Sequence, residues 1–155
     1  MSPATFTSLE LAAQERELQL SGFGHEDAIA LGMSLVELAR ERELPVAIGV
    51  DIGDHRVFRG SMPGTCGDHD RWLDRKFAAV RRFDRCSLEL ELRTRVQPDY
   101  VGDRGLDAAA IALVGGAFPL RIAGVAVGVA GVAGLDSADD HALTVEALTA
   151  FIGKP

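Results

Sequence analysis

At 155 residues, 47% apolar and 25% charged, the chain has the composition of one globular domain with room for a single core. A net charge of -7 argues against general nucleic-acid binding, which needs basic surface to displace counterions. The longest uncharged run, between Arg121 and Asp136, is too short to cross a bilayer, so no membrane partner is expected.

The chain order begins with a helix from Ser8, as cap, to about Leu20, ended by "SGFG". A second helix spans about 26–43. Its two apolar stripes, Ile29/Met33/Val36 and Leu31/Leu35/Leu38, predict burial on most sides. "LPVAIGVDI" reads as a strand, "GDH" as a turn and "RVFRGSM" as the returning strand of a hairpin. After the loop "PGTCGDHD", a helix starts near Asp70 and runs to about residue 95. The alternation in "SLELEL" also admits a strand there. "QPDYVGDRG" is expected as loop and "LDAAAIALVGG" as a short helix. "FPLRIAG" and "VAVGVAGVAG" suggest a glycine-rich hairpin. The last helix, "SADDHALTVEALTAFIG", is capped by Asp136 or Ser137 and stopped by Gly153. This order predicts a single α+β domain over 1–155, with a mostly antiparallel sheet flanked by helices and residues 1–22 as a helical extension.

The helix after residue 70 carries one anomaly. At 100° per residue, Arg71, Arg75, Arg82 and Arg85 share one face, and Trp72, Ala79, Val80 and Phe83 a neighbouring one. Lys76 falls between Phe83 and Val80. It is either a desolvated ammonium on a pocket wall or a lysine whose stem covers apolar surface. Residues 71–95 hold eight of the sixteen basic residues and four acids, so that segment is +4 and the remainder -11. A local anion site and a solvated basic face both fit.

Other motifs narrow the chemistry. "GVAGVAG" matches neither a dinucleotide fingerprint nor a P-loop and points to close strand approach. "GGAFPLR" is a turn, or a loop offering N–H groups to a ligand. The histidines 25, 55, 69 and 141 form no metal motif, and Cys66 and Cys86 form neither a disulfide framework nor a zinc pattern. No leader is evident at the N-terminus, and a reduced, cytoplasmic setting is expected. No metal and no catalytic residue is assigned, and an enzyme using Lys76 as base or nucleophile ranks last.

Several short motifs recur together: Pro45-Val46, Phe58, Pro63-Gly64, Trp72, Arg75-Lys76, Phe83, Gly115-Gly116, Phe118-Pro119, Gly134-Leu135 and Asp139-Asp140-His141. In this order they resemble the haem-degrading-domain family, also called HbpS-like or GlcG-like, and its small stand-alone branch. The resemblance covers about Glu26 to Leu148 and implies a profilin-like α+β fold, usually assembled into homo-oligomers. It implies that Arg75, Lys76 and the Gly115–Pro119 loop lie near one another. It also implies a ligand site drawn from Trp72, Arg75, Lys76, Gly115, Gly116, Phe118, Pro119 and His141. Some relatives bind haem or iron, so the leading ligand is a small anion, with haem or another tetrapyrrole foremost. Lys76 and the arginine face would then meet the propionates, and His25, His69, His141 or Tyr100 the iron. The chain departs from its branch at Cys86, where a serine is usual, and in "VGVAGVAGL", which lacks the usual hydroxyl residues. The alternative reading is a non-catalytic oligomeric adaptor, with the small residues of 124–134 allowing subunits to approach.

Overall fold

A computed structural model describes residues 4–154. The elements are α1 (Ser8–Glu17), β1 (Gln19–Leu20), α2 (His25–Glu41), β2 (Ala47–Ile52), β3 (His55–Ser61), α3 (Gly67–Phe83), α4 (Ser87–Val96), α5 (Tyr100–Asp103), β4 (Ala117–Ile122), β5 (Val125–Ala133) and α6 (Ser137–Ile152). They form one α+β domain around a five-stranded sheet ordered β1-β4-β5-β2-β3. The β2–β3, β2–β5 and β4–β5 pairs are antiparallel, and β1 joins β4 in parallel, so the sheet is mixed.

Helices cover both faces. Leu11 of α1, Leu31 and Leu35 of α2, and Leu143 and Leu148 of α6 pack with Ile48, Phe118 and Val132. On the other face Leu73, Phe77 and Val80 of α3 meet Ala117, Val129 and Ala133. Three layers result, with a sheet buried from both sides. The glycines of β5 belong to this packing. A Cβ on Gly128 would meet the Asp51 carbonyl oxygen at 2.2 Å, and one on Gly131 the Gly116 carbonyl oxygen at 2.6 Å. Close approach is therefore made inside the chain, which accounts for those glycines without a neighbouring subunit.

Several expectations are corrected. Thr7 caps the first helix instead of Ser8: its Oγ1 accepts the Glu10 N–H (3.2 Å), and Glu10 Oε2 accepts the Thr7 N–H (2.8 Å). That helix stops at Glu17, and Gln19–Leu20 becomes a strand because it pairs with Arg121 and Ile122. In α2 the buried face is Ala28, Leu31, Leu35, Val36 and Ala39, with Leu38 half-buried; Ile29 and Met33 are 40% and 42% exposed. The helix after residue 66 begins at Gly67 and breaks at Asp84, whose left-handed backbone (φ 55°) ends it with an N–H bond to Val80 (2.8 Å). Arg121 holds this corner, donating to Asp84 Oδ1 (2.8 Å), the Asp84 carbonyl (2.7 Å) and Glu15 (3.1 Å). "SLELEL" then forms the helix α4. The stretch "LDAAAIALVGG" is not a helix: the Ala112 N–H goes to the Arg75 carbonyl (3.1 Å) and the Gly115 N–H to Glu91 (3.3 Å). A short helix, α5, lies in the preceding segment, where only loop was expected.

Pro119 sits inside β4, not at its entry. The Val132 N–H bonds the Gly116 carbonyl (3.1 Å), so Gly116, Phe118 and Leu120 are the residues that bond β5. The Pro119 nitrogen points the other way, where β1 covers only Arg121 and Ile122, and its missing N–H costs no ladder bond.

Candidate functional site

The anomalous lysine faces inward. Lys76 is 3% exposed and Asp140, across from it on α6, 1%. Lys76 Nζ lies 2.9 Å from Asp140 Oδ2 and donates to the Val132 carbonyl at 3.3 Å. The carboxylate also accepts the Gly134 N–H (3.3 Å) and the Leu135 N–H (3.0 Å). One ion pair thus ties α3, the end of β5 and the start of α6 together. Burial raises the Asp140 pKa despite the opposing pull of Lys76 and the two N–H groups. The side chains buried around Lys76 on α3 are Leu73, Phe77, Ala79 and Val80, whereas Trp72 and Phe83 are half-buried. The buried face is therefore rotated toward Leu73 and Phe77 from the one read in the sequence.

Gly116 makes the pair's geometry feasible. Its φ is +136°, and a Cβ there would meet the Val132 carbonyl oxygen at 2.5 Å and Lys76 Nζ at 2.9 Å. Thr144 Oγ1 donates to the Gly116 carbonyl (2.9 Å), fixing the loop from the α6 side. Gly115 turns toward α4 instead, with Leu88 and the Ser137 carbonyl against its Cα.

A pocket of about 280 Å³ opens over the pair, lined by Asp68, His69, Trp72, Val114 and Leu135 among others. Trp72 stacks with Arg75, whose guanidinium carbon lies 4.4 Å from the ring centroid. The structure therefore puts Trp72 and Lys76 on the pocket wall, Gly116 against Lys76, and Arg75 on Trp72 but outside the lining. It places Phe118 in the main core, Pro119 within β4, and His141 away from the pocket. His141 is fully buried, 4.8 Å from the Phe6 ring and 5.9 Å from the Phe118 ring. Its Nε2 lies 2.7 Å from Gln14 Oε1, its Nδ1 has no partner among the described residues, and burial lowers its pKa to about 4. Asp140 and His141 are adjacent in sequence, but a helix turns 100° between them, so one faces the pocket and the other the core. The sequence reading took Asp140 only as a first-turn acid complementing the helix dipole and as part of the family motif, not as a site residue; its signal was the Asp-Asp-His motif after Gly134-Leu135.

With this geometry in hand, comparison defines the class. The sequence profile described as "Haem degrading protein HbpS-like" matches residues 23–149. A UPF0303 protein of Streptomyces coelicolor is 43% identical over 155 residues, covering 99% of this chain and 98% of the relative. A UPF0303 protein of Rhizobium etli is 39% identical over 145 residues, covering 93% and 88%. The chain belongs to the HbpS-like haem-degrading-domain family, among its UPF0303 members. Among solved structures, that of the Ybr137w protein has a TM-score of 0.88 at 26% identity, covering 97% of this chain and 90% of the other. A PduOC:haem complex has a TM-score of 0.69 at 20% identity, covering 85% and 96%, and shares the fold.

Haem is the group this family implies, and the residues here do not fit an axially held haem. His69 lines the pocket, but its Nδ1 accepts the Cys66 N–H (3.0 Å), which leaves the proton of the neutral ring on Nε2. Its remaining ring nitrogen is then a donor and offers iron no lone pair. His141 has a free lone pair, but in the core. Tyr100 packs beneath Arg104 and beside Phe83, and His25 beside His55, all outside the lining. Among the described residues no cluster of three or more His, Cys, Asp or Glu is arranged to hold a metal, and no helix is long and apolar enough to cross a membrane. Cys86 is buried, with its thiol pushed up to about 12, chiefly by burial, which disfavours the nucleophilic thiolate.

Proposed function

We propose that this protein binds a small anionic ligand in the pocket over the Lys76–Asp140 pair, and that the ligand is not an axially ligated haem. The observation carrying this reading is the unused donor on Lys76. An ammonium has three N–H groups, and two are taken by Asp140 and Val132. The third has no protein acceptor among the described residues, on a side chain that lines the pocket. The His69 Nε2–H is a second donor, and Trp72, Val114 and Leu135 supply an apolar wall. That combination suits a compact carboxylate.

The test pairs two titrations. In thermal shift, carboxylates from formate to benzoate identify a saturable binder that K76M/D140N loses. In absorbance, haemin gives no saturable Soret band. A stoichiometric Soret band abolished by one His→Ala substitution overturns the reading in favour of haem.

A second reading, a homo-oligomeric adaptor, is favoured by one observation. β3 ends the sheet with its outer edge unpaired among the described residues, and Ile29 and Met33 are exposed on α2, which packs on β2 and β3. Light scattering after gel filtration tests it: a stable closed assembly without added ligand supports it, and a monomer rules it out.

A further inference from the structure

The other side of Trp72 presents a different arrangement. Arg71 and Arg75 stand one turn apart on α3 beside a cavity of about 600 Å³ shared with Asp68, Asp74 and the segment Ala108–Ala110. Neither guanidinium makes a hydrogen bond or ion pair with the described residues, although like charges at this spacing repel. The Arg75 Nε is buried and has no partner. An orphaned buried donor is costly, and a guanidinium is among the strongest oxyanion ligands available to a protein.

The nearby acids do not cancel this charge. Asp74 is engaged by Arg56 (2.6 Å) and Arg59 (3.5 Å). Asp68 pairs with neither arginine. Arg75 is also held in place: its guanidinium rests on Trp72, and its carbonyl accepts the Ala112 N–H (3.1 Å), anchoring the loop that forms the opposite wall. A planar fork fixed against an indole is arranged in advance for bidentate bonding.

We propose that Arg71 and Arg75 form an oxyanion clamp, adjoining the Lys76 pocket at Asp68 but sharing none of its cations, that takes the phosphate group of a small phosphate monoester. Two uncompensated guanidinium groups beside one free carboxylate favour a doubly charged group over a monocarboxylate. A phosphate supplies close to two negative charges and three acceptor oxygens. The cavity beyond the arginines, walled by Ala108–Ala110, leaves room for an organic body.

Trp72 is the single tryptophan of the chain; it stacks on Arg75 and lines the Lys76 pocket, so its fluorescence responds to both sites and the variants tell them apart. The experiment titrates the full protein with inorganic phosphate and with glycerol 3-phosphate at constant ionic strength, followed by Trp72 emission and calorimetry. One saturable site is expected. R75K, which keeps the charge but loses the fork, should weaken it at least tenfold. R71Q should weaken it similarly, and D68N should tighten it. Circular dichroism confirms that each variant is folded. Tighter binding of glycerol 3-phosphate than of phosphate supports a monoester; equal binding restricts the clamp to free phosphate and overturns the ligand assignment. A non-saturating change, or one indifferent to R71Q and R75K, overturns the clamp. K76M/D140N separates this proposal from the preceding one. Binding kept in that variant supports the clamp, whatever becomes of the carboxylate site. Binding lost only there places the phosphate in the Lys76 pocket and overturns the clamp while leaving the pocket in place.

Discussion

Replacing Lys76 with methionine removes the counter-ion of Asp140 while keeping most of the stem's volume. The carboxylate, 1% exposed, would be left with the Gly134 and Leu135 N–H groups alone. Breaking a buried pair in this way costs about 3–5 kcal/mol. For a domain of this size that lowers Tm by roughly 6–20 °C. The double variant K76M/D140N should recover part of the loss, because asparagine carries no charge and its oxygen can still accept the Leu135 N–H, although its NH2 then faces the Gly134 N–H. Acidity supplies a second signature. Burial already raises the Asp140 pKa above its ordinary 3.8, and losing Lys76 raises it further. A folded-state acid with a raised pKa takes up its proton before the unfolded chain does. The deficit of K76M relative to the parent therefore shrinks as pH falls through that raised pKa, and is constant below about 3.8. Urea unfolding of parent, single and double variants at pH 7.5 and pH 5 measures both effects. A K76M loss below about 1 kcal/mol, with the same deficit at both pH values, refutes the argument that Lys76 is there to neutralise a buried charge.

Three further outcomes are expected. His141 is held neutral with a pKa of about 4 against an ordinary 6.5, so the unfolded chain binds the proton first on acidification. Stability is intact above pH 6.5, falls by roughly 3 kcal/mol by about pH 4, and loses nothing more to this group below that. The slope should vanish in H141Q when both proteins are unfolded in urea across that range, and an unchanged slope assigns it elsewhere. Gly116→Ala combines a positive φ with a 2.5 Å approach to the Val132 carbonyl and should cost at least about 2 kcal/mol in denaturant melts. Gly67→Ala, which meets nothing within 4 Å, should stay within about 0.5 kcal/mol. In the native protein Ellman's reagent should label the exposed Cys66 alone, with the buried Cys86 reacting only on unfolding; fast labelling of both would contradict the Cys86 burial.

Much of this protein was legible in its residues because the signals are local. Apolar runs bounded by turn residues marked both hairpins. Asp136 and Gly153 bracketed the last helix at the ends it adopts. A 100° step was enough to show that Lys76 leaves the polar face of α3, as its burial confirms. The family motifs, also local strings, led to the right fold.

What tertiary structure alone decided is non-local. Gln19–Leu20 is too short to carry a period and is a strand only because β4 lies beside it. The alanines of 107–113 have helical propensity, yet their backbone groups are claimed elsewhere, Ala112 by Arg75 for one. Above all, the charge that answers Lys76 stands 64 residues further along the chain. Helix periodicity says which way a side chain points along its own axis, and nothing about which helix will face it. Only packing α3 and α6 on opposite faces of one sheet, with Gly116 and the end of β5 between them, brings that ammonium to its carboxylate.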